Sequence, residues 1–156
     1  MPLSSQLDDA DLRILRTLQR EPQLTMAGLA EKVGLSHTPC WRRVRKMEES
    51  GTIAGRAILV NPGHLGFDVT VIAELTLKQH DESTLNAFEQ AVQDHPQIVE
   101  CFSMSGESDY LIQLIVPSIT EYERLLKTVL AHLPGVGSIN SRFVLNRVKF
   151  TTNVPL

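Results

Sequence analysis

Four cations crowd into five positions, Arg42, Arg43, Arg45 and Lys46, just after Ser36, His37, Thr38 and Trp41. Guanidinium and ammonium groups in such a run suit the oxygens of a phosphate backbone. The hydroxyl, imidazole and indole groups beside them supply donors and acceptors of the kind that meet base edges in a duplex groove. On a helix, His37, Trp41 and Arg45 recur every four residues and form one ridge, while Thr38 and Arg42 form the next. Cys40, Val44 and Met47 fall on the other side as an apolar stripe. Arg42 has the fork for a two-pronged contact to guanine and equally for a phosphate. Trp41 either packs along the domain edge or reaches DNA. A basic helical face alone is most often merely solvated, so its meaning rests on the elements that hold it.

Those elements read as three short helices. Leu7-Asp8-Asp9-Ala10-Asp11 opens the first, with carboxylates at the positive end of the dipole. Leu12, Ile14, Leu15 and Leu18 supply its apolar stripe, and Pro22 ends it. Thr25 is the expected N-cap of the second helix, Leu29, Ala30 and Val33 its buried side, and Gly34 its left-handed stop, with Leu35 plugging the core beyond. Ser36 is the expected N-cap of the third, with Pro39 tolerated in the first turn and Gly51 the stop. Three helices with a glycine turn between the second and third read as helix-turn-helix. That placement turns the basic face toward nucleic acid. The run 53–60 is strand-like and suits a small wing. The breakers Asn61-Pro62-Gly63-His64-Leu65-Gly66 mark a domain boundary.

The second half alternates strands and helices: strand 69–77, helix 83–94 (Leu85, Phe88 and Val92 on one side), strand 98–104, a turn at Ser105-Gly106-Glu107-Ser108, strand 109–116, helix 119–133 (Tyr122, Leu125, Leu126 and Val129 buried) and strand 139–150. The order βαββαβ is the ferredoxin-like split arrangement. The fold class is therefore α+β, with a winged helix-turn-helix in 1–60, a linker in 61–66 and a ferredoxin-like domain in 67–156. Residues 1–60 hold nine Lys/Arg against seven Asp/Glu; residues 61–156 hold six against eleven. The first half thus faces nucleic acid and the second something else.

The 156-residue chain has no apolar run near the roughly 20 residues that a bilayer demands. Met1 to Asp11 lacks the basic flank and apolar stretch of a signal peptide, so a cytoplasmic protein is expected, with no membrane partner. His37, His64, His80, His95 and His132 are scattered without a metal or catalytic pairing, and no nucleophile elbow or phosphate loop occurs. No enzyme, metal site or cofactor is expected. Cys40 and Cys101 have no paired spacing and read as small buried residues.

Three stretches, Leu7-Asp8-x-x-Asp11-x-x-Ile14-Leu15, Leu29-Ala30-x-x-Val33-Gly34-Leu35-Ser36 and Thr38-Pro39-Cys40-Trp41-Arg42-Arg43-Val44, resemble the leucine-responsive/asparagine-responsive (Lrp/AsnC) regulator family. Ser105-Gly106-Glu107-Ser108-Asp109-Tyr110-Leu111, Leu133-Pro134-Gly135-Val136 and Val148-Lys149-Phe150-Thr151-Thr152 extend the likeness across nearly the whole chain. The resemblance implies a transcriptional regulator of amino-acid metabolism or transport that binds double-stranded, pseudo-palindromic DNA as a homodimer. Its second domain pairs its sheet with another copy, and dimers assemble to tetramers or octamers. A small-molecule effector, an amino acid or related metabolite, binds between dimers. DNA contacts fall on Ser36, His37, Thr38, Trp41, Arg42, Arg43, Arg45 and Lys46. Effector contacts carried over are Ser103, Gly106, Glu107, Asp109, Tyr110, Ile119, Arg142 and Phe143. A glycine turn can hold a carboxylate on its N–H groups, and Asp109 an ammonium; equally, Gly106 can simply turn the chain and Asp109 cap it. Arg142 departs from the apolar residue expected in leucine sensors and either suits an acidic ligand or sits exposed on its strand. Cys40-Trp41-Arg42 resembles a subgroup governing amino-acid breakdown or detoxification, sulfur amino acids included. The alternative is an effector-blind architectural protein that organises DNA.

Overall fold

The computed structural model describes residues 7–156. The expectation about a leader at Met1 to Asp11 therefore lies in part outside the described residues. Two compact units emerge. One contains the chain up to Leu59 together with Lys149–Leu156, the other Val60–Val148.

In the first unit α1 (Asp9–Arg20), α2 (Met26–Val33) and α3 (His37–Glu49) start and stop on local chemistry. Asp8 caps α1 in a reciprocal box with Asp11: each side chain accepts the other's backbone N–H. Thr25 caps α2 by accepting from the Gly28 N–H. Gly34 stops α2 at φ 69°, and the Leu35 N–H reaches back to the Ala30 carbonyl, closing a Schellman turn. Ile14, Leu29, Ala30, Val33, Cys40, Val44 and Met47 form the core, with Leu15, Leu18, Leu35 and Ile53 at its margin. Residues 149–156 run along α1. Both backbone groups of Val154 are taken by the Gln19 side chain, the N–H by Oε1 at 2.5 Å and the carbonyl by Nε2 at 3.2 Å.

The second unit is a four-stranded antiparallel sheet of β1 (Val69–Leu77), β2 (Ile98–Ser103), β3 (Tyr110–Val116) and β4 (Val136–Phe143), in the order β2-β3-β1-β4. α4 (Glu82–Gln93) and α5 (Ile119–Thr128) cross between strands. That is the ferredoxin-like order that the sequence pattern predicts. Alternation sends Val71, Ala73, Leu75 and Leu77 of β1, and Tyr110, Ile112, Leu114 and Val116 of β3, into a core with Phe88, Val92, Tyr122, Leu125, Leu130 and Leu133. Thr70, Ile72, Glu74 and Thr76, with Leu111, Gln113 and Ile115, face away from it and are half-buried.

Three expected elements differ. The run 53–60, expected as a wing strand, forms no strand. Within the described chain nothing pairs with it, and Ile58 is left 92% exposed; a strand requires a ladder partner. The last strand, expected over 139–150, spans Val136–Phe143. Its partner β1 begins at Val69, so the final ladder bond joins the Val144 N–H to the Thr70 carbonyl, and Leu145 beyond it is 99% exposed. The helix expected to reach Leu133 stops at Thr128. A 3-10 turn, Leu130–His132, follows and buries Leu130, and Leu133 is extended as a residue before proline must be. In the boundary segment, Asn61 caps a single 3-10 turn, Pro62–Leu65, and Gly66 closes it at φ 78°.

Candidate functional site

The outward side of α3 is built by what the inward side requires. Burial of Cys40, Val44 and Met47 turns His37, Thr38, Trp41, Arg42, Arg45 and Lys46 to solvent, all exposed. Trp41 is 47% exposed and takes no part in the core, a placement that fits both packing along the domain edge and contact with DNA. The Arg45 guanidinium stands 6.0 Å from the centre of the Trp41 ring and lies 3.8–3.9 Å from Glu48 and Glu49, contacts long and exposed enough to yield to a stronger anion. Among the described residues, Arg42 and Lys46 join no ion pair. Ser36 has the extended backbone of an N-cap, yet its hydroxyl caps nothing, unlike those of Thr25 and Ser118. That leaves it available to a phosphate or base.

Arg43 stands apart from this face. Its Nη1 donates to Asp8 Oδ2 at 2.7 Å and to Asp11 Oδ1 at 2.8 Å, at the start of α1. The Asp11 and Asp8 carboxylates hold the guanidinium pKa above its ordinary value. The Asp11 N–H, and after it Arg43, hold the Asp8 carboxyl below its own.

The second set of expected site residues clusters only in part. Gly106 makes the β2–β3 turn at φ 118°, closed to other residues without strain, and Glu107 beside it is exposed. Ser103 ends β2 opposite Tyr110. Asp109 ties the start of β3 to the end of β1: Oδ2 accepts from the Leu77 N–H at 2.6 Å, Oδ1 meets His80 Nε2 at 2.8 Å, and its own N–H donates to the Leu75 carbonyl. The Leu77 N–H first, and His80 after it, hold its carboxyl below the usual aspartate range. Tyr110 is buried against Phe88, with ring centres 4.4 Å apart, and its hydroxyl donates to Glu89 Oε1 at 2.7 Å. Burial, then that carboxylate, push its pKa up to about 12.

The other three lie elsewhere. Ile119 is exposed in the first turn of α5. Arg142 pairs with Glu74 through both nitrogens, at 2.9 and 3.2 Å, on the sheet face away from the helices. Phe143 is on the helix-covered face, edge-on to Tyr122, whose hydroxyl bonds that of Ser141. Arg142 and Phe143 sit opposite Ile72 and Val71, whereas Asp109 meets Leu75 and Leu77. At roughly 3.3 Å per residue, that separates them by about 10 Å or more along β1. The eight residues do not line one pocket within a single copy.

Glu74, His80 and Glu89 partner three of the expected residues and were not singled out from sequence. Strand alternation puts Glu74 on the open face, but only the β1–β4 register reveals Arg142 as its neighbour. Burial pushes both thiols, Cys40 and Cys101, toward higher pKa, the reverse of what a redox-active cysteine needs.

Comparison with known proteins decides what this arrangement belongs to. The Lrp/AsnC ligand binding domain matches residues 70–154, and a winged helix-turn-helix DNA-binding domain matches residues 7–54. The chain belongs to the Lrp/AsnC family. Like other Lrp/AsnC proteins it is a DNA-binding transcriptional regulator and not an enzyme. It is 37% identical to the glutamate uptake regulatory protein of Zymomonas mobilis, over 96% of this chain and 91% of that one. It is 40% identical to the leucine-responsive regulatory protein of Haemophilus influenzae, over 93% and 87%. A Neisseria meningitidis transcriptional regulator solved as an L-Met complex superposes with a TM-score of 0.91 at 30% identity, covering 96% of this chain and 97% of its own. No helix among the described residues is long and apolar enough to cross a membrane.

The Asp109 geometry carries a prediction. Its folded pKa is depressed, so its contribution is present above the ordinary aspartate value near 3.8 and is lost as pH falls through the lower folded one. Asp109→Asn keeps one acceptor for the Leu77 N–H and loses the charge. We expect it to lower the stability of the second unit by about 1–2 kcal/mol at pH 7 and to flatten the acid limb of the stability curve. Thermal melts from pH 3 to pH 8 read both; a variant as stable as wild type at pH 7 overturns the assignment.

Proposed function

We propose that this regulator binds pseudo-palindromic duplex DNA as a homodimer, with α3 in the major groove, and that an amino acid or close metabolite sets its response. Assembly to tetramers or octamers and action in the cytoplasm belong to the same reading. The observation that carries it is the outward face of α3, where Ser36, His37, Thr38, Trp41, Arg42, Arg45 and Lys46 stand clear of the core. Self-association is supported by apolar surface left uncovered within one copy: Ile58, Leu59 and Val60, and Val99 and Phe102 on β2.

The effector is an amino acid with an uncharged side chain. Arg142, the cation that would favour an acidic one, is already neutralised by Glu74. The L-Met complex of the Neisseria relative points the same way. Asp109 accepts one hydrogen bond on each oxygen within its own fold, so an ammonium held there would share the carboxylate with the Leu77 N–H and His80; the N–H groups of the Gly106 turn suit the carboxylate of the ligand. With the expected site residues split between two faces and two regions of the sheet, the site is completed by another copy.

The test is a thermal-shift panel of free amino acids on the full chain. A ligand at a hundredfold excess over Kd raises stability by about 2.7 kcal/mol. Methionine, leucine or another neutral side chain should shift the melt, and glutamate and aspartate should not. A shift with the acidic pair alone overturns the neutral-ligand reading. A panel without shifts, together with DNA binding unchanged by any amino acid, favours the effector-blind architectural role.

A further inference from the structure

Arg43 sits among the cations of α3, and its neighbours Arg42 and Arg45 face solvent. It leaves the helix three residues from Cys40 and four from Met47, on the flank of the buried stripe. There its Nη1 closes a ring of four hydrogen bonds. Asp8 uses Oδ1 for the Asp11 N–H and Oδ2 for Arg43; Asp11 uses Oδ2 for the Asp8 N–H and Oδ1 for Arg43. Asp11 is only 7% exposed, the one charged residue buried among those described. Two carboxylates side by side repel, and a buried one without a cation is costly. The cap of α1 and the orientation of α3 are thereby one interaction: the cation that neutralises the box is anchored on the reading helix.

We propose that Arg43 is a positioning residue for DNA reading, clamping α3 to the N-terminal cap of α1, and that it makes no phosphate contact. The inference rests on α3 being the DNA-reading helix, and Arg42→Gln tests that premise separately. Its consequence is a division of labour inside one basic run. Arg42, Arg45 and Lys46 neutralise phosphate, whereas Arg43 sets the angle and register at which His37, Thr38 and Trp41 meet the bases.

The two roles differ in salt dependence and in specificity. Each phosphate neutralised contributes about 0.9 to the slope of log affinity against log salt. A clamp contributes nothing to that slope, but misplacing the helix costs base readout. The measurement is fluorescence anisotropy of the full chain on two labelled duplexes, one selected by the wild-type protein from a random pool and one of scrambled sequence. Titrations run across a salt series at a temperature where the signal of Trp41, the sole tryptophan, reports a folded α3.

Arg42→Gln should make the slope shallower by about 0.9. Arg43→Gln should leave the slope unchanged and cut the preference for the selected duplex about tenfold. Asp11→Asn should do the same, and the double variant Arg43→Gln/Asp11→Asn should be no worse than the weaker single, because both break one clamp. A residue that only stabilised the fold would leave that preference intact at this temperature. A slope shallower by about 0.9 in Arg43→Gln, or a preference within about twofold of wild type, overturns the proposal. If Arg43→Gln does not fold, Asp8→Asn and Asp11→Asn decide. Reduced preference at unchanged slope supports the clamp; equal or tighter binding, as expected when an acid near DNA is removed, overturns it. If Arg42→Gln leaves the slope unchanged, the premise about α3 fails, independently of the result for Arg43.

Discussion

Replacing Arg42 and Arg45 together by alanine should weaken binding to a selected duplex by about a hundredfold at moderate salt and make the salt slope shallower by nearly two. The reasoning is geometric first. Both side chains are exposed on the side of α3 opposite Cys40, Val44 and Met47, so their loss removes no core contact. Arg45 gives up the indole face of Trp41 and two long contacts with Glu48 and Glu49, worth little in water. Stability should therefore stay within about 0.5 kcal/mol of wild type. Calorimetry and anisotropy titration together check this. Full affinity at matched salt would mean that DNA meets another surface; a large drop in melting temperature would mean that the face is structural.

Phe88→Ala should cost the second unit about 3–5 kcal/mol. Phe88 is wholly buried at the centre of that core, tilted onto Tyr110 beneath β3. Its removal leaves a void that Leu75, Ile112 and Leu114 cannot fill without leaving their strand register. The loss is a large part of the 5–15 kcal/mol that holds a typical domain. The chain supplies separate reporters. Its one tryptophan, Trp41, is in the first unit, and both tyrosines, Tyr110 and Tyr122, are in the second. The tyrosine near-UV signal should melt earlier in the variant while tryptophan fluorescence keeps its wild-type midpoint. Both midpoints falling together would show that the two cores unfold as one.

Much of this architecture was legible because the signals are local. Thr25, Gly34 and Gly51 announce helix ends, and the period of Cys40, Val44 and Met47 announces which side of α3 is buried. The alternation along Val69–Leu77 and Tyr110–Val116 announces a one-sided sheet. What failed is what depends on a partner. Residues 53–60 and 144–150 have the composition of strands, but a ladder needs a second edge, and for these segments the chain alone provides none.

The exposed side of α3 was readable residue by residue except at Arg43, whose pairing with Asp8 and Asp11 was hidden by its basic neighbours; its spacing from Cys40 and Met47 was the available signal. The surroundings of the expected effector residues were less readable. The hydrogen-bond partners of Asp109, the Leu77 N–H and His80, are about 30 residues away. Glu74, which neutralises Arg142, is 68 residues away.

The grip of Gln19 on Val154 means that the DNA-binding unit is not one stretch of polypeptide. Its three helices are complete once the ribosome has passed residue 59, but the segment lying along α1 is made only after the whole of the second unit. At about 5–20 residues per second, some 5–20 seconds pass before it arrives. During that interval the face of α1 around Arg16, Gln19 and Arg20 has nothing against it. A fragment cut at residue 60 would preserve that nascent state permanently. The DNA-binding unit of this protein is thus completed only after the second unit has been made, and a chain interrupted anywhere within residues 60–148 never completes it.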